Sequence, residues 1–259
     1  MTISVTPDHP SELHSRFASL LSVTHVSQHG LQSLLSVISL VTSCARLAGV
    51  FMSSLLYTLR SYRLSQYCPL SSFNYSDLRW WCHFLPHYNG VSIIKTSPWL
   101  DDRLFLSTDA CSTGAGGYFH GQYFHTPFPC PILLQFGHDI NILELLTIMV
   151  TLKLWGELLG GKRVILQCDN ENSVLAINSG RSRVPGMHLC LREIWFLTAR
   201  NDINIFARHV AGVDNSIADH HGCWHLSPVH HTRFATLTAD TPTKHVLCSP
   251  HLFQFEIDC

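Results

Sequence analysis

Several things are scarce in these 259 residues. Charged side chains make up only 14%, against roughly 25% in ordinary globular proteins. Lys plus Arg (17) nearly balances Asp plus Glu (18), so no strong net field recruits nucleic acid or a membrane surface. The ten cysteines lie one at a time with no Cys-x-x-Cys pair, which points to reduced thiols rather than a disulfide framework or a zinc ribbon. No basic, apolar, small-residue leader opens the chain. An intracellular protein, cytoplasmic or nuclear and not secreted, is the expectation. A spanning helix wants ~20 apolar residues without a central charge. The best candidate, 31–59, is rich in Ser and Thr and carries Arg46 near its middle, so no membrane partner is expected. No Tyr-x-Asp-Asp polymerase motif occurs.

What the chain does have is apolar residues (46%) and histidine, 18 of them. The hydrophobic share is ample for a core and excludes general disorder. Charge is unevenly spread. Residues 1–100 hold six basic and three acidic side chains, whereas 101–259 hold eleven and fifteen. The question is whether those surplus carboxylates converge.

Periodicity divides the chain. Residues 1–29 are polar and expected to be disordered or frayed. Leu31, Leu34, Leu35, Ile38 and Val41 form a helical stripe, with a break at Gly49 and a continuation through Leu55, Leu56 and Leu59. A third helix is expected from Tyr75 or Ser76, capped by Asn74 or Ser76. In it Trp80, Trp81 and Phe84 read as core rather than as base-stacking platforms, and Pro86 and Asn89-Gly90 end it. Residues 30–100 thus read as a small helical module.

From residue 101 the pattern changes. Arg103 to Thr108 reads as a buried strand ending in Asp109. Glycines 114, 116 and 117 and His120-Gly121 mark the turns of an antiparallel meander, and Pro127, Pro129 and Pro131 a loop. A long helix from Ile142 to about Leu159 follows a cap at Asn141. A second buried strand, 163–168, ends at Asp169. Helices at 171–178 and 185–200, a strand at 203–209 and a short helix at 213–221 complete the series. Three antiparallel strands followed by alternating helices and strands predict an α/β fold, a mixed five-stranded sheet with helices on both faces.

In such sheets ligands gather at the carboxyl ends of strands. Asp109 and Asp169 fall there, Glu144 in the first turn of the long helix, and Asp219 on the last one. Four carboxylates without a thiolate ligand suit two Mg²⁺ (or Mn²⁺) ions, not zinc, and a two-metal site of that kind hydrolyses phosphodiesters. His209, at the end of the last strand, could shuttle protons. The cluster His220, His221, Cys223, His225 matches no standard zinc finger spacing, and His230-His231 reads as solvated loop.

These residues carry a resemblance. The order Asp109, Glu144, Asp169, Asp219 resembles the four-acid site of type I ribonuclease H. Four stretches resemble the ribonuclease H domain of DIRS-like retrotransposon reverse transcriptases: STDACSTGAGG (107–117), INILELLTIMVTLKLW (140–155), VILQCDNENSVLAINSGRSR (164–183) and HVAGVDNSIAD (209–219). LQSLLSVISLV (31–41) and SDLRWWCHFLPHYNGVSII (76–94) are similar to the thumb and connection region before it.

The resemblance implies a ribonuclease H-like fold at 101–225, a thumb/connection-like module at 30–100 and a weakly structured tail at 226–259. It implies cleavage of the RNA strand of an RNA–DNA hybrid by a fragment of a retroelement reverse transcriptase lacking the palm. A polymerase region supplied in trans is a possible partner, and no small-molecule cofactor is expected. Asp109 would bridge both ions. Asp219 would share the ion holding the attacking water, and Glu144 and Asp169 the other, with Glu144 near the RNA 2′-hydroxyl. His209 matches the family histidine. By position, Asn170, Asn172, Asn178, Ser179, Arg181, Arg183 and Asn215 are candidate hybrid contacts. Where the family continues Leu-Ser-Arg after its last aspartate, this chain has His220-His221-Gly222, and Gly222 is expected to shorten the helix and loosen Asp219. The alternative is a catalytically inactive nucleic-acid-binding remnant of the same element. A DNA-strand transferase places its glutamate last, whereas Glu144 comes second here.

Overall fold

The computed structural model describes residues 2–4, 8–44, 50–62, 66–85, 91–93 and 104–256. The sequence expectations at Arg46, Gly49, Pro86, Asn89-Gly90 and Arg103 lie outside them. The chain forms two compact units, 1–98 with 257–259, and 99–256. No helix among the described residues is long and apolar enough to cross a membrane.

The first unit contains β1 (Thr2–Ser4), α1 (Asp8–Leu20), β2 (His25–Ser27), α2 (Gln28–Cys44), α3 (Ser53–Ser61), β3 (Tyr67–Pro69), α4 (Ser72–Phe84) and β4 (Val91–Ile93). β1 pairs antiparallel with β4, and β2 with β3. The stripe Leu31, Leu34, Leu35, Ile38 and Val41 is buried as its spacing requires. Residues 8–20 are helical, not frayed. Leu13 and Phe17, one turn apart, are fully buried, and Phe17 stacks on Trp81 at 5.7 Å. Their apolar surface outweighs the polar residues around them. Trp80 stacks on Phe51 at 3.6 Å, so the tryptophans are core. Ser71, not Asn74, caps α4. Its hydroxyl accepts the Asn74 N–H while the Asn74 side chain accepts the Ser71 N–H, a capping box that starts the helix one turn earlier than expected.

The second unit contains β5 (Phe105–Ala110), β6 (Gly114–Phe119), β7 (Gln122–Pro127), α5 (Cys130–Phe136), α6 (Ile140–Leu159), β8 (Arg163–Cys168), α7 (Glu171–Ser179), α8 (Pro185–Arg200), β9 (Asn204–His209), α9 (Ser216–Gly222), α10 (Pro228–Leu237) and β10 (Lys244–His245). The sheet order is β10-β7-β6-β5-β8-β9. β5–β6 and β6–β7 pair antiparallel, and β8 and β9 run parallel to β5. This is the expected mixed sheet of a ribonuclease H-like fold, with two-residue β10 added in parallel beside β7. His120 and Gly121 both take positive φ (48° and 79°), the geometry of a two-residue hairpin turn.

Helices cover both faces. Successive strand residues point to opposite sides. A Cβ on Gly116 would meet His221 of α9, and one on Gly117 would meet Phe124 and Thr151 of α6. α6 is buried nearly all round between the sheet and α8.

Two expectations fail here. The proline-rich loop gives way to α5 at Cys130, because Pro131 can occupy a first-turn position that needs no N–H donor. The tail is not weakly structured as far as Glu256. α10 packs on α9, Phe253 is buried, and the Glu256 N–H reaches Glu193 Oε1 at 2.9 Å. Glu193 is also the buried partner of Lys153 at 2.8 Å, so the tail completes an ion pair that burial would otherwise penalise.

Candidate active site

Asp109 lies within β5 rather than after it, since the strand runs on to Ala110. Its carboxylate is 6% exposed. Burial, then the charges of Asp169 and Asp219, push its pKa up to about 7. Glu144 sits five residues beyond the α6 cap. The cap is Asp139, whose carboxylate accepts the Asn141 N–H, so Glu144 falls in the second turn instead of the first. Glu144 is 3% exposed, and burial with the charges of Asp109 and Asp169 raises its pKa well above the usual range. One of its oxygens accepts the Ala110 N–H at 3.2 Å, and the other faces the Cys168 thiol at 3.8 Å. Asp169 follows β8. Asp219 stands in the first turn of α9 with its side chain 46% exposed.

The four acids therefore come from β5, α6, the end of β8 and α9, and their charges act on one another. Buried carboxylates raised in this way, as Asp109 and Glu144 are, favour holding a proton or a cation. Cys168, which sequence reasoning did not single out, joins Glu144 and Asp169 in one potential ligand group. Burial and the Glu144 charge keep its thiol protonated well above the usual thiol range. It acts as a donor to Glu144, so the charged donors are all oxygen. The set fits hard divalent cations.

α9 reaches Asp109 because glycines let it. A Cβ on Gly222 would lie 2.5 Å from Asp109 Oδ2, and one on Gly116 would lie 2.3 Å from the Gly222 nitrogen. Gly222, the last residue of α9, thus permits close approach of α9 to β5. Asn215, a candidate hybrid contact by sequence, is buried and donates to the Thr108 carbonyl at 3.0 Å, fixing α9 beside Asp109. Asn178 has a similar internal task. Its amide brackets Ala207 of β9, donating at 2.7 Å and accepting at 2.9 Å. Asn170 caps α7, and Asn170 and Asn172 both donate to Asn141 Oδ1 at 3.0 and 3.1 Å. The Ser179 hydroxyl turns back on local carbonyls, while Arg181 and Arg183 are exposed in the loop after α7. His209 is exposed, with Nε2 3.1 Å from the Asp169 carbonyl.

A cavity of about 460 Å³ is lined by Asp169, Gly212, Val213, Ser216, Asp219, His220 and Arg233. Arg233 was invisible to sequence reasoning because it lies on α10, in the stretch read as tail. His220 was visible but without a partner, and the structure supplies His230.

No protein-family model matches the chain, and no curated protein matches it. Among solved structures it is similar to the foamy viral protease-reverse transcriptase in complex with RNA/DNA hybrid. The identity is 13% and the TM-score 0.28, over 76% of this chain and 27% of that one. Likeness at that level carries no argument about chemistry. By its sheet order and helix placement, the second unit is a ribonuclease H-like α/β domain.

Proposed function

We propose that the chain is a divalent-metal-dependent endonuclease that hydrolyses the RNA strand of RNA–DNA hybrids and belongs to a retroelement reverse transcriptase. The observation that carries this reading is that buried Asp109 and Glu144, from two separate elements, both feel the charge of Asp169, and Asp109 that of Asp219 as well. These residues would hold two Mg²⁺ or Mn²⁺ ions, which supply an activated water and stabilisation of the leaving oxygen. Asp109 and Glu144 sit in the dry base of the site. Asp169 and Asp219 meet the cavity, where the scissile phosphate binds. Arg233 beside them offsets phosphate charge. His209, exposed and joined to the Asp169 carbonyl, takes up or releases a proton as product leaves.

The test uses the full chain with a hybrid labelled on its RNA strand. Cleavage in Mg²⁺ or Mn²⁺, abolished by chelation and absent on duplex DNA, is expected. Hybrid binding with no cleavage in either metal would instead establish the inactive remnant.

A further inference from the structure

α9 and α10 converge on a second group that shares only Asp219 with the four-acid set. His220, on α9, is 6% exposed. Its Nδ1 lies 3.3 Å from Asp219 Oδ2 and 3.3 Å from Nδ1 of His230 on α10. The two imidazoles meet at 65° with centroids 5.4 Å apart, so they converge on their nitrogens and do not stack. Facing nitrogens at that distance make a poor hydrogen bond, since N–H donors prefer separations of roughly 2.9–3.0 Å. A tetrahedral ion with bonds of ~2.0–2.1 Å has ligand atoms about 3.3–3.4 Å apart. Both short separations match that edge, and all three ligand atoms lie within 4.8 Å of one another.

We propose that Asp219, His220 and His230 form a binding site for a borderline-soft divalent cation of the Zn²⁺ class. His220 and Asp219 line the cavity, which leaves its side open for a fourth ligand. Three protein ligands with an open fourth position is the arrangement of exchangeable zinc sites rather than of closed structural ones. Ion choice follows from the donors. Hard ions gain little from two neutral imidazoles, whereas zinc gains much. The positive charge of Arg233, which acts on His220, opposes any cation. It narrows the site to ions that bind imidazole strongly. Of the group His220, His221, Cys223, His225 that the sequence displays, only His220 contributes. His230, ten residues on, replaces the others.

The metal site stands without the nuclease reading, but one consequence rests on it. Asp219 belongs to both sets, so a zinc ion drawn to the histidines competes with the hard ions for that carboxylate and lowers hybrid cleavage.

The probe is Co²⁺ added to the full chain without Mg²⁺. Four-coordinate Co²⁺ gives an intense visible d–d absorption, and equimolar Zn²⁺ should bleach it. His230→Ala should weaken binding by at least about tenfold, and His231→Ala should not change it. With Mg²⁺ held constant, Zn²⁺ should inhibit cleavage, and His230→Ala should shift that inhibition to at least about tenfold higher Zn²⁺. A weak six-coordinate spectrum overturns the proposal. So does a thiolate charge-transfer band from Cys111 or Cys223, or unchanged affinity in His230→Ala. A chain that binds Co²⁺ as expected but cleaves no hybrid supports the zinc site and overturns the nuclease reading alone.

Discussion

Asp219 and His221 stand two residues apart on α9 yet join clusters with opposite electrostatic demands. Asp219 faces carboxylates that burial drives toward protonation, with Asp109 at about 7. His221 faces the β7 side of the sheet, where it stacks on Tyr123 at 4.5 Å and meets Phe234 at 4.3 Å. It is fully buried, both ring nitrogens lack a hydrogen-bond partner, and burial pulls its pKa down to about 3. His125 stacks between Trp224 (4.4 Å) and His245 (4.6 Å), and burial lowers its pKa to about 4. Burial disfavours the charged form of Asp109 and Glu144 in one cluster and of His221 and His125 in the other. The imidazoles stay neutral and pack as flat apolar plates. His221 and His125 therefore serve packing, not chemistry.

The sharpest way to break this contrast is at the acids. Asp109→Asn and Asp169→Asn should each lower Mg²⁺-dependent hybrid cleavage by at least about 10³-fold. Asp109→Asn should also raise metal-free stability at pH 8 by ~1–3 kcal/mol, because it removes a buried ionised group. Thermal melts with and without Mg²⁺ check this, and a destabilised variant would contradict the account of Asp109.

Next in size is the contact that lets α9 serve both clusters. Gly222→Ala drives a methyl into Asp109 Oδ2 and should cost about 2–3 kcal/mol and most of the activity. Wild-type melting and cleavage would refute the close-approach role. Asn215→Ala should cost ~1–3 kcal/mol, leaving the Thr108 carbonyl buried without its donor. Cleavage should fall through kcat, as Asp219 loses its anchor.

The smallest effects lie in the pH dependence of metal-free stability, where the clusters oppose each other. Asp109 binds its proton more tightly folded than unfolded. Its contribution is greatest at low pH and is lost as pH rises from about 4 through about 7. His221 and His125 bind protons more weakly when folded. Their penalty is absent above pH ~6.5 and grows as pH falls toward about 4. Denaturant titrations from pH 4 to pH 8 should show Asp109→Asn removing the loss on the alkaline side. His221→Phe should remove part of the loss on the acid side and add about 1 kcal/mol at pH 7, since no unpaired nitrogens remain buried. An unchanged acid limb in His221→Phe would mean that His221 is not the group responsible.

Wherever an element is specified by its own neighbours, its outline was readable along the chain. β8 runs from Arg163 to Cys168 and α8 from Pro185 to Arg200, as their apolar runs and flanking Pro and Gly signals indicate. The four acids stood out because their spacing reproduces a known order. Partnership was not readable. Asn178 and Asn215 look like surface amides in sequence, but their partners, Ala207 and Thr108, are 29 and 107 residues away. α1 was missed because apolar residues are sparse among its polar ones, and the value of Phe17 depends on Trp81 far along the chain.

Local pattern decides the strand and helix series, the α/β class and the order of four carboxylates along it. Periodicity and capping act over a few residues, so a linear reading captures them. Tertiary packing decides what the side chains mean. It sets which acids are buried, and makes Gly222 a point of close approach to Asp109. It also turns histidines of one short stretch into a stacked plate at His221 and a ligand pair at His220 and His230. Desolvation and charge coupling depend on three-dimensional neighbours, and the order of residues does not contain those distances.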